Sequence, residues 1–166
     1  MQLVRHVTLV LAFVHGACDD DIGLIGGLVP ADGPEGDTTI SVTLSPGTEV
    51  PVCAAAGTFA MGAATLRIAS DDSALTVDEL TYASLSGTPT TANIHAGAPG
   101  IAGPDVFPIV LPATLRQVFT DDSYPSPAPS GAPADFDAFI QSVRDGNAYV
   151  SVNTASCPSG EIRGQL

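Results

Sequence analysis

The sequence contains no tryptophan and no lysine, and its positive charge comes from five arginines. Without lysine, the chain has neither the essential lysine of a P-loop nucleotide-binding protein nor the amine of a Schiff-base enzyme. Charged residues make up only 14% of the chain, and 17 glycines and 14 prolines interrupt it. Coiled coils and long helical bundles need more charge and fewer helix breakers, so this composition excludes both classes.

Acidic residues outnumber basic ones by 18 to 5, which gives a formal net charge of −13. A chain of this charge repels nucleic acids and anionic membrane surfaces, so neither is an expected partner. With 166 residues, of which 45% are hydrophobic, the chain has room for one domain with its own core and a leader or tail.

The first 18 residues, MQLVRHVTLVLAFVHGAC, have the layout of a secretory signal peptide. A weakly basic start is followed by the apolar run Val7 to Val14 and then by small residues. The run is too short for a transmembrane helix, which needs about 20 apolar residues. We therefore expect residues 1–18 to direct export.

The end of this leader, VHGAC, resembles a bacterial lipobox, in which the cysteine is lipidated and becomes the mature N-terminus. His15 departs from that pattern, which usually has leucine there. We expect lipidation of Cys18 to be the only contact with a membrane; the alternative is an ordinary leader that is cleaved. Residues 19–37 are rich in glycine and lack a regular period, as is typical of a flexible tether. The expected location is the cell envelope or the extracellular medium.

From Thr38 onwards, most segments alternate between apolar and polar residues, as half-buried strands do. The pattern predicts strands in five regions: 38–44, 59–69, 74–85 with a bulge at Asp78-Glu79, 91–95 and 106–111. Two more strands, 149–153 and 161–166, close the chain. Residues 120–134 contain four prolines and predict a surface loop.

One short helix is predicted near 135–145, with Asp135 as N-cap and an apolar stripe that would seal one end of a β core. Short strands at short intervals with one minor helix indicate an all-β fold, an antiparallel sandwich or barrel. The alternation does not determine the order of the strands.

Five short motifs occur in the order that is typical of one family: Gly47–Val52, Ala64–Leu66, Ala92–His95, Tyr149–Thr154 and Gly160–Leu166. Together they resemble the CHRD domain, first defined in chordin, over residues 38–166. The terminal GEIRGQL, with Glu161, Arg163 and Gly164, is the most specific part, and Glu49 of the Glu-Val-Pro motif supports it. The resemblance implies an all-β, non-enzymatic extracellular module that binds proteins or glycans.

The family motifs usually carry three histidines where this chain has Asn93, His95 and Asn153. Two histidines on one strand face and a third on a neighbouring strand are a pattern that can hold copper or zinc, as in superoxide dismutases. The alternative function is therefore a metal-binding or redox protein of that form. Asparagine is a poor ligand for these metals, so we expect no metal site and no cofactor, with His95 as a structural residue.

Other charged residues of the motifs have a structural interpretation. Glu161 and Arg163 are two residues apart on one strand, and we expect them to pair with each other or with Glu49. The pairs Asp71-Asp72 and Asp121-Asp122 lack the spacing of a dedicated calcium loop and predict turns. No Gly-x-Ser-x-Gly motif occurs, so hydrolase chemistry is not expected.

The chain has three cysteines, an odd number for an exported protein. If Cys18 is lipidated, Cys53 and Cys157 remain as one pair in an oxidising compartment, and we expect a disulfide between them. The alternative is two free, buried thiols that pack as small apolar residues.

Overall fold

The structure is a computed structural model that describes residues 36–113 and 115–166. The predicted signal peptide, Cys18 and residues 19–35 of the predicted tether lie outside the described residues. The described part contains eight strands and one α-helix: β1 (Thr38–Leu44), β2 (Met61–Ile68), β3 (Leu75–Ala83), β4 (Pro89–Ala96), β5 (Asp105–Ile109), β6 (Gln117–Phe119), α1 (Phe136–Arg144), β7 (Ala148–Thr154) and β8 (Ile162–Gln165). The expectation of an all-β fold with one short helix is confirmed.

The strands form two four-stranded antiparallel sheets that pack as a sandwich. The first sheet has the order β1-β2-β3-β6 and the second has the order β5-β4-β7-β8. At one edge, reciprocal backbone hydrogen bonds between Ser45 and Arg163 join the two sheets. The order places the last strand beside the first, which the sequence pattern did not reveal.

Antiparallel pairing gives the sandwich two distinct ends. Connections 45–60, 84–88 and 155–161 lie at one end, which we call the disulfide end. Connections 69–74 and 97–104, the loop 120–134 and α1 lie at the opposite end, which we call the helix end. The chain enters β1 at the helix end, where Thr38 pairs with Ile68.

The core lies between the two sheets and follows the alternation of the strands. Ile94, Val150, Val152 and Ile162 of the second sheet are fully buried, as are the facing aliphatic residues of the first sheet. The few aromatic residues gather towards the helix end, where Phe107 contacts Phe119, Tyr124, Phe136 and Phe139. Such a cluster buries much apolar surface in a chain without tryptophan.

The predicted bulge is present in β3. Thr65 pairs with Glu79 and Leu66 pairs with Val77, so Asp78 is the extra residue. Asp78 then receives two hydrogen bonds from Arg67, at 2.8 and 3.2 Å, and an ion pair from Arg116 at 3.1 Å. The bulge explains why the apolar alternation breaks at this point.

Helix α1 forms as its sequence predicts. The Asp135 carboxylate accepts a hydrogen bond from the Ala138 amide at 2.8 Å, which is an N-cap. Phe136, Phe139, Ile140 and Val143 are buried against the core. Gly146 follows the helix at φ +73°, a conformation that favours glycine. No helix among residues 36–113 and 115–166 is long and apolar enough to cross a membrane.

Two features differ from the sequence prediction. Strand β6 was not predicted, because three residues, Gln117–Phe119, are too few for a visible period. The loop 120–134 is irregular as predicted but begins with a short 3₁₀ turn at Asp121–Ser123, in which the Thr120 and Ser123 side chains cap each other's backbone. Strand β1 has its predicted bounds, and the other predicted strands differ from theirs by one or two residues at each end.

The predicted disulfide between Cys53 and Cys157 is present, with the two Cα atoms 5.8 Å apart. It joins the long loop after β1 to the connection before β8, and Cys157 is 1% exposed. The alternative of two free thiols is therefore wrong. The covalent link holds the loop 45–60 against the second sheet.

Replacing both cysteines by alanine is expected to lower the stability of the folded domain. The bond closes a segment of 104 residues, and loop-closure entropy for such a length is worth up to about 4–5 kcal/mol. Thermal unfolding of C53A/C157A should therefore occur at a clearly lower temperature than that of the unreduced parent. An unchanged unfolding temperature would show that noncovalent contacts alone hold the loop.

Candidate functional site

The side of the second sheet that faces away from the core carries most of the motif residues. We call this surface the polar face; it consists of Asn93, His95, Tyr149, Ser151, Asn153, Arg163 and Gln165. Parts of loops 45–60 and 97–104 lie over it, because Glu49 bonds to Ser151 and Gly103 bonds to Tyr149. The polar face is therefore largely buried, although it lies outside the sandwich core.

Glu161 lies just before β8, and its carboxylate is completely buried. One oxygen accepts hydrogen bonds from the backbone amides of Gly57 at 2.9 Å and Ser86 at 2.6 Å. The other accepts from the hydroxyls of Ser86 and Thr154, each at 2.6 Å. Burial raises the pKa of Glu161, but these hydrogen bonds together outweigh it and hold the pKa below its usual value. The ionised carboxylate thus ties two loops of the disulfide end to β7.

Arg163, on β8, is 1% exposed and bonds mainly to backbone carbonyls. Its guanidinium donates to Ile101 O at 2.9 Å, to Ala98 O at 3.0 Å and to the side chain of Gln165 at 2.8 Å. The guanidinium carbon also lies 3.5 Å above the centre of the Tyr149 ring, a cation–π contact. Arg163 therefore fixes the loop 97–104 against the sheet.

Gln165 completes the set of polar side chains on the last strand. Its amide nitrogen lies within 2.8–2.9 Å of three backbone carbonyls, those of Gly97, Gly146 and Ala148. These carbonyls belong to the segment after β4, to the segment between α1 and β7, and to the first residue of β7. Glu161, Arg163 and Gln165 thus bind neighbouring segments at both ends of the sandwich.

His95 lies at the helix end of β4, stacked on the other face of Tyr149. The two rings are 4.5 Å apart and nearly parallel, so Arg163, Tyr149 and His95 form a three-layer stack. His95 Nδ1 lies 2.9 Å from Asp105 and 3.2 Å from Gly103 O, whereas Nε2 is buried and has no partner among the described residues. Burial lowers the pKa of His95, with Asp105 and Gly103 acting in the opposite direction.

Glu49 contacts the middle of the polar face from the loop after β1. Its carboxylate is 3% exposed and accepts one hydrogen bond from the Ser151 hydroxyl at 2.5 Å. Burial raises the pKa of Glu49, and the contributions of Ser151 and Arg163 only partly oppose this rise. A Cβ atom at Gly160, which has φ +124°, would lie 2.5 Å from the Glu49 carboxylate, so only glycine fits there.

Gly164 allows the two sheets to approach at the edge where β8 lies beside β1. A Cβ atom there would lie 3.0 Å from Thr43 O and 3.1 Å from the Leu44 side chain. The glycine of GEIRGQL thus has a packing role.

The expected ion pair of Arg163 with Glu161 or Glu49 is wrong. Arg163 forms no salt bridge with either carboxylate, and both Glu161 and Arg163 bind groups from other segments instead. The donors around Glu161 come from loops that are far away in sequence, so spacing within β8 gave no sign of them. The alternation of polar residues 161, 163 and 165 was the one available signal for Gln165.

The two asparagines that stand in the usual histidine positions do lie on the same face as His95. The Asn153 amide donates to Pro158 O at 2.8 Å, so it braces the connection to β8. In the register of β4 and β7, Asn93 pairs with Ser151 and His95 pairs with Tyr149. Positions 95 and 153 are consequently four residues apart along the strand direction, on the order of 13 Å.

This register argues against a three-histidine metal site at positions 93, 95 and 153. Imidazole ligands bind zinc at about 2.0–2.1 Å, and side chains whose backbones are so far apart do not reach one ion. Among residues 36–113 and 115–166, no group of three or more His, Cys, Asp and Glu side chains is placed to hold a metal ion.

Comparison with known proteins gives one match. The family model of the CHRD domain matches residues 40–166. Neither the curated proteins nor the solved structures contain a significant match.

Glu49 and Glu161 are expected to respond in opposite ways when each is changed to glutamine. A raised pKa means that the fold favours the neutral form, so Glu49→Gln should stabilise the protein at neutral pH by on the order of 1 kcal/mol. A lowered pKa means that the fold favours the anion, so Glu161→Gln should destabilise it by about 1–3 kcal/mol. Denaturant unfolding at neutral pH measures both.

Both differences should shrink on acidification, because each wild-type carboxylate then becomes neutral. The Glu49 effect fades as the pH falls through its raised pKa, and the Glu161 effect fades below the ordinary value of 4.5. Equal signs for the two variants at neutral pH would contradict the proposed environments.

The lowered pKa of His95 predicts that the folded protein loses stability in mild acid. Its folded pKa is lowered, so its contribution is complete above the ordinary value of 6.5 and is lost as the pH falls below it towards the folded pKa. In unfolding measurements between neutral pH and the range in which carboxylates titrate, the wild type should lose stability relative to His95→Gln. A stability difference that does not depend on pH would show that His95 does not titrate differently in the folded state.

Proposed function

The chain belongs to the CHRD domain family, and we propose that it is an exported, surface-anchored module without enzymatic activity that binds proteins or glycans outside the cell. The observation that carries this proposal is that the motif side chains are occupied by hydrogen bonds inside the domain. Glu161, Arg163 and Gln165 are bonded to the backbone of neighbouring segments, so they stabilise a rigid support for loops. Rigid scaffolds with ordered loops are well suited to recognition.

Export is supported by the disulfide and by the leader pattern. Disulfides form and persist in oxidising compartments and are rare in reducing ones. The Cys53–Cys157 pair leaves Cys18 as the third cysteine, at the end of an apolar leader and before acidic residues. These features agree with lipidation of Cys18 and attachment of the domain through residues 19–37.

The absence of enzymatic activity is proposed from the chemistry of the buried polar residues. The Glu161 carboxylate accepts four hydrogen bonds and has a lowered pKa, which makes it a poor general acid. Arg163 is capped by carbonyls and by the Tyr149 ring. His95 Nδ1 is engaged by Asp105 and Gly103. These groups stabilise the fold.

Wild-type protein is expected in the membrane fraction of the producing cells, labelled by a fatty acid and accessible to protease in intact cells. The variant Cys18→Ser should lose the label and leave the membrane fraction. Ser159→Ala is the control, because it changes an exposed residue outside the leader and leaves the disulfide intact. Wild-type protein that is soluble inside the cell would overturn the proposed anchoring and export.

The binding part of the proposal is tested with purified Cys18→Ser protein added to intact cells. Saturable binding is expected, and pretreating the cells with protease or with glycosidases identifies the class of receptor. Metal analysis of the same preparation tests the alternative function. Copper or zinc that remains in stoichiometric amount after dialysis, without saturable binding, would favour the superoxide-dismutase-like alternative.

A further inference from the structure

The disulfide end of the sandwich has no exposed charge. Segments 38–48, 50–66, 80–104 and 146–160 contain no Asp, Glu, Lys or Arg. The charged residues that interrupt or follow them near this end, Glu49, Glu161 and Arg163, are at most 3% exposed. Arg116, which directly precedes β6, is paired with Asp78 of the β3 bulge. In a chain of net charge −13, such a neutral end is unexpected.

The helix end, in contrast, carries most of the acidic side chains. Its arginines are paired with acidic residues: Arg144 with Asp72, and Arg67 with Asp37 at 3.8 Å. The acidic residues there are Asp37, Asp71, Asp72, Asp105, Asp121, Asp122, Asp135, Asp137 and Asp145. Charge is therefore strongly segregated along the length of the sandwich.

Large apolar side chains are exposed at the neutral end. Phe59 is 74% exposed, Val52 59% and Met61 55%. Met61 lines a shallow groove of about 270 Å³ together with Ala63, Ala83 and the half-buried Tyr82. Phenylalanine and methionine are enriched at the centre of protein interfaces. The sequence has no tryptophan and one aromatic exposed here, which gives a poor platform for stacking sugars.

The point of attachment lies at the other end. The 35 residues that precede the described part, which include Cys18, join the domain at Gly36, beside Ser70 and the Asp71-Asp72 turn. The neutral end is thus the end farthest from the chain that would anchor the domain.

We propose that the disulfide end is a self-association surface, on which Phe59, Met61 and Val52 of one copy pack against the same residues of a second copy. Two copies of an acidic protein repel each other in most orientations. Contact through the neutral ends places the two acidic ends as far apart as the molecule allows. A two-fold symmetric contact needs only this one patch.

Such a dimer carries its two attachment points at opposite ends. If the domain is anchored, as the proposed function holds, the dimer would link two facing surfaces. Self-association itself does not depend on anchoring and can be measured on the unanchored protein.

The test is sedimentation velocity on exported Cys18→Ser protein over concentrations from micromolar to millimolar. We expect a concentration-dependent dimer whose dissociation constant decreases at higher salt, because salt screens the repulsion between like charges. Phe59→Ser and Met61→Asp should each weaken the dimer about tenfold or more. Ile101→Ser is the matched control, because Ile101 is also 59% exposed but lies at the helix end, and it should leave the dimer unchanged.

Thermal unfolding of each variant checks that the exposed substitutions leave the fold intact, and either single variant suffices for the test. A protein that stays monomeric at all concentrations would overturn the proposal, as would a dimer that dissociates in high salt or is weakened only by Ile101→Ser. A monomer that still binds cells through Phe59 would overturn self-association but preserve the proposed function. A dimer that does not bind cells would support self-association but overturn the proposed binding function.

Discussion

The structure depends on a carboxylate that is completely buried and still ionised. Glu161 is stabilised by two backbone amides and two hydroxyls, which come from three separate segments of the chain. Removing such a charge from water is costly unless hydrogen bonds replace the lost hydration, and here four do so. Strand β8, which begins at the next residue, carries Arg163 and Gln165, which bind backbone carbonyls. One short strand thus carries donors and acceptors for much of the surrounding loop backbone.

This arrangement accounts for a domain in which long loops are ordered without extensive apolar packing. Loops at the disulfide end are held by Glu161 and by the Cys53–Cys157 bond, and the loop 97–104 is held by Arg163. Because Glu161, Arg163 and Gln165 are bonded within the domain, a partner would contact exposed residues elsewhere on its surface. The segregation of charge distinguishes two of them, a neutral end with exposed Phe59 and an acidic end at which the chain enters.

Much of the fold could be predicted from the sequence, because alternation, capping and turn chemistry are local. The helix with its Asp135 cap, the bulge at Asp78 and most strands follow from neighbouring residues. The disulfide followed from the number of cysteines and was confirmed. Strand order, the three-residue β6 and the partners of Glu161 could not be predicted, since they depend on contacts between residues up to about a hundred positions apart. The site residues were found through motif resemblance, but their roles were visible only in three dimensions.

Amide hydrogen exchange in wild type and Glu161→Ala tests most directly whether the buried carboxylate organises the loops. At neutral pH, the amides of Gly57 and Ser86 should be protected in the wild type and should lose that protection in the variant, while Val150 in the central strand keeps its own. Equal protection of Gly57 and Ser86 in both proteins would show that the loops are held by other contacts. That result would contradict the central role assigned to Glu161.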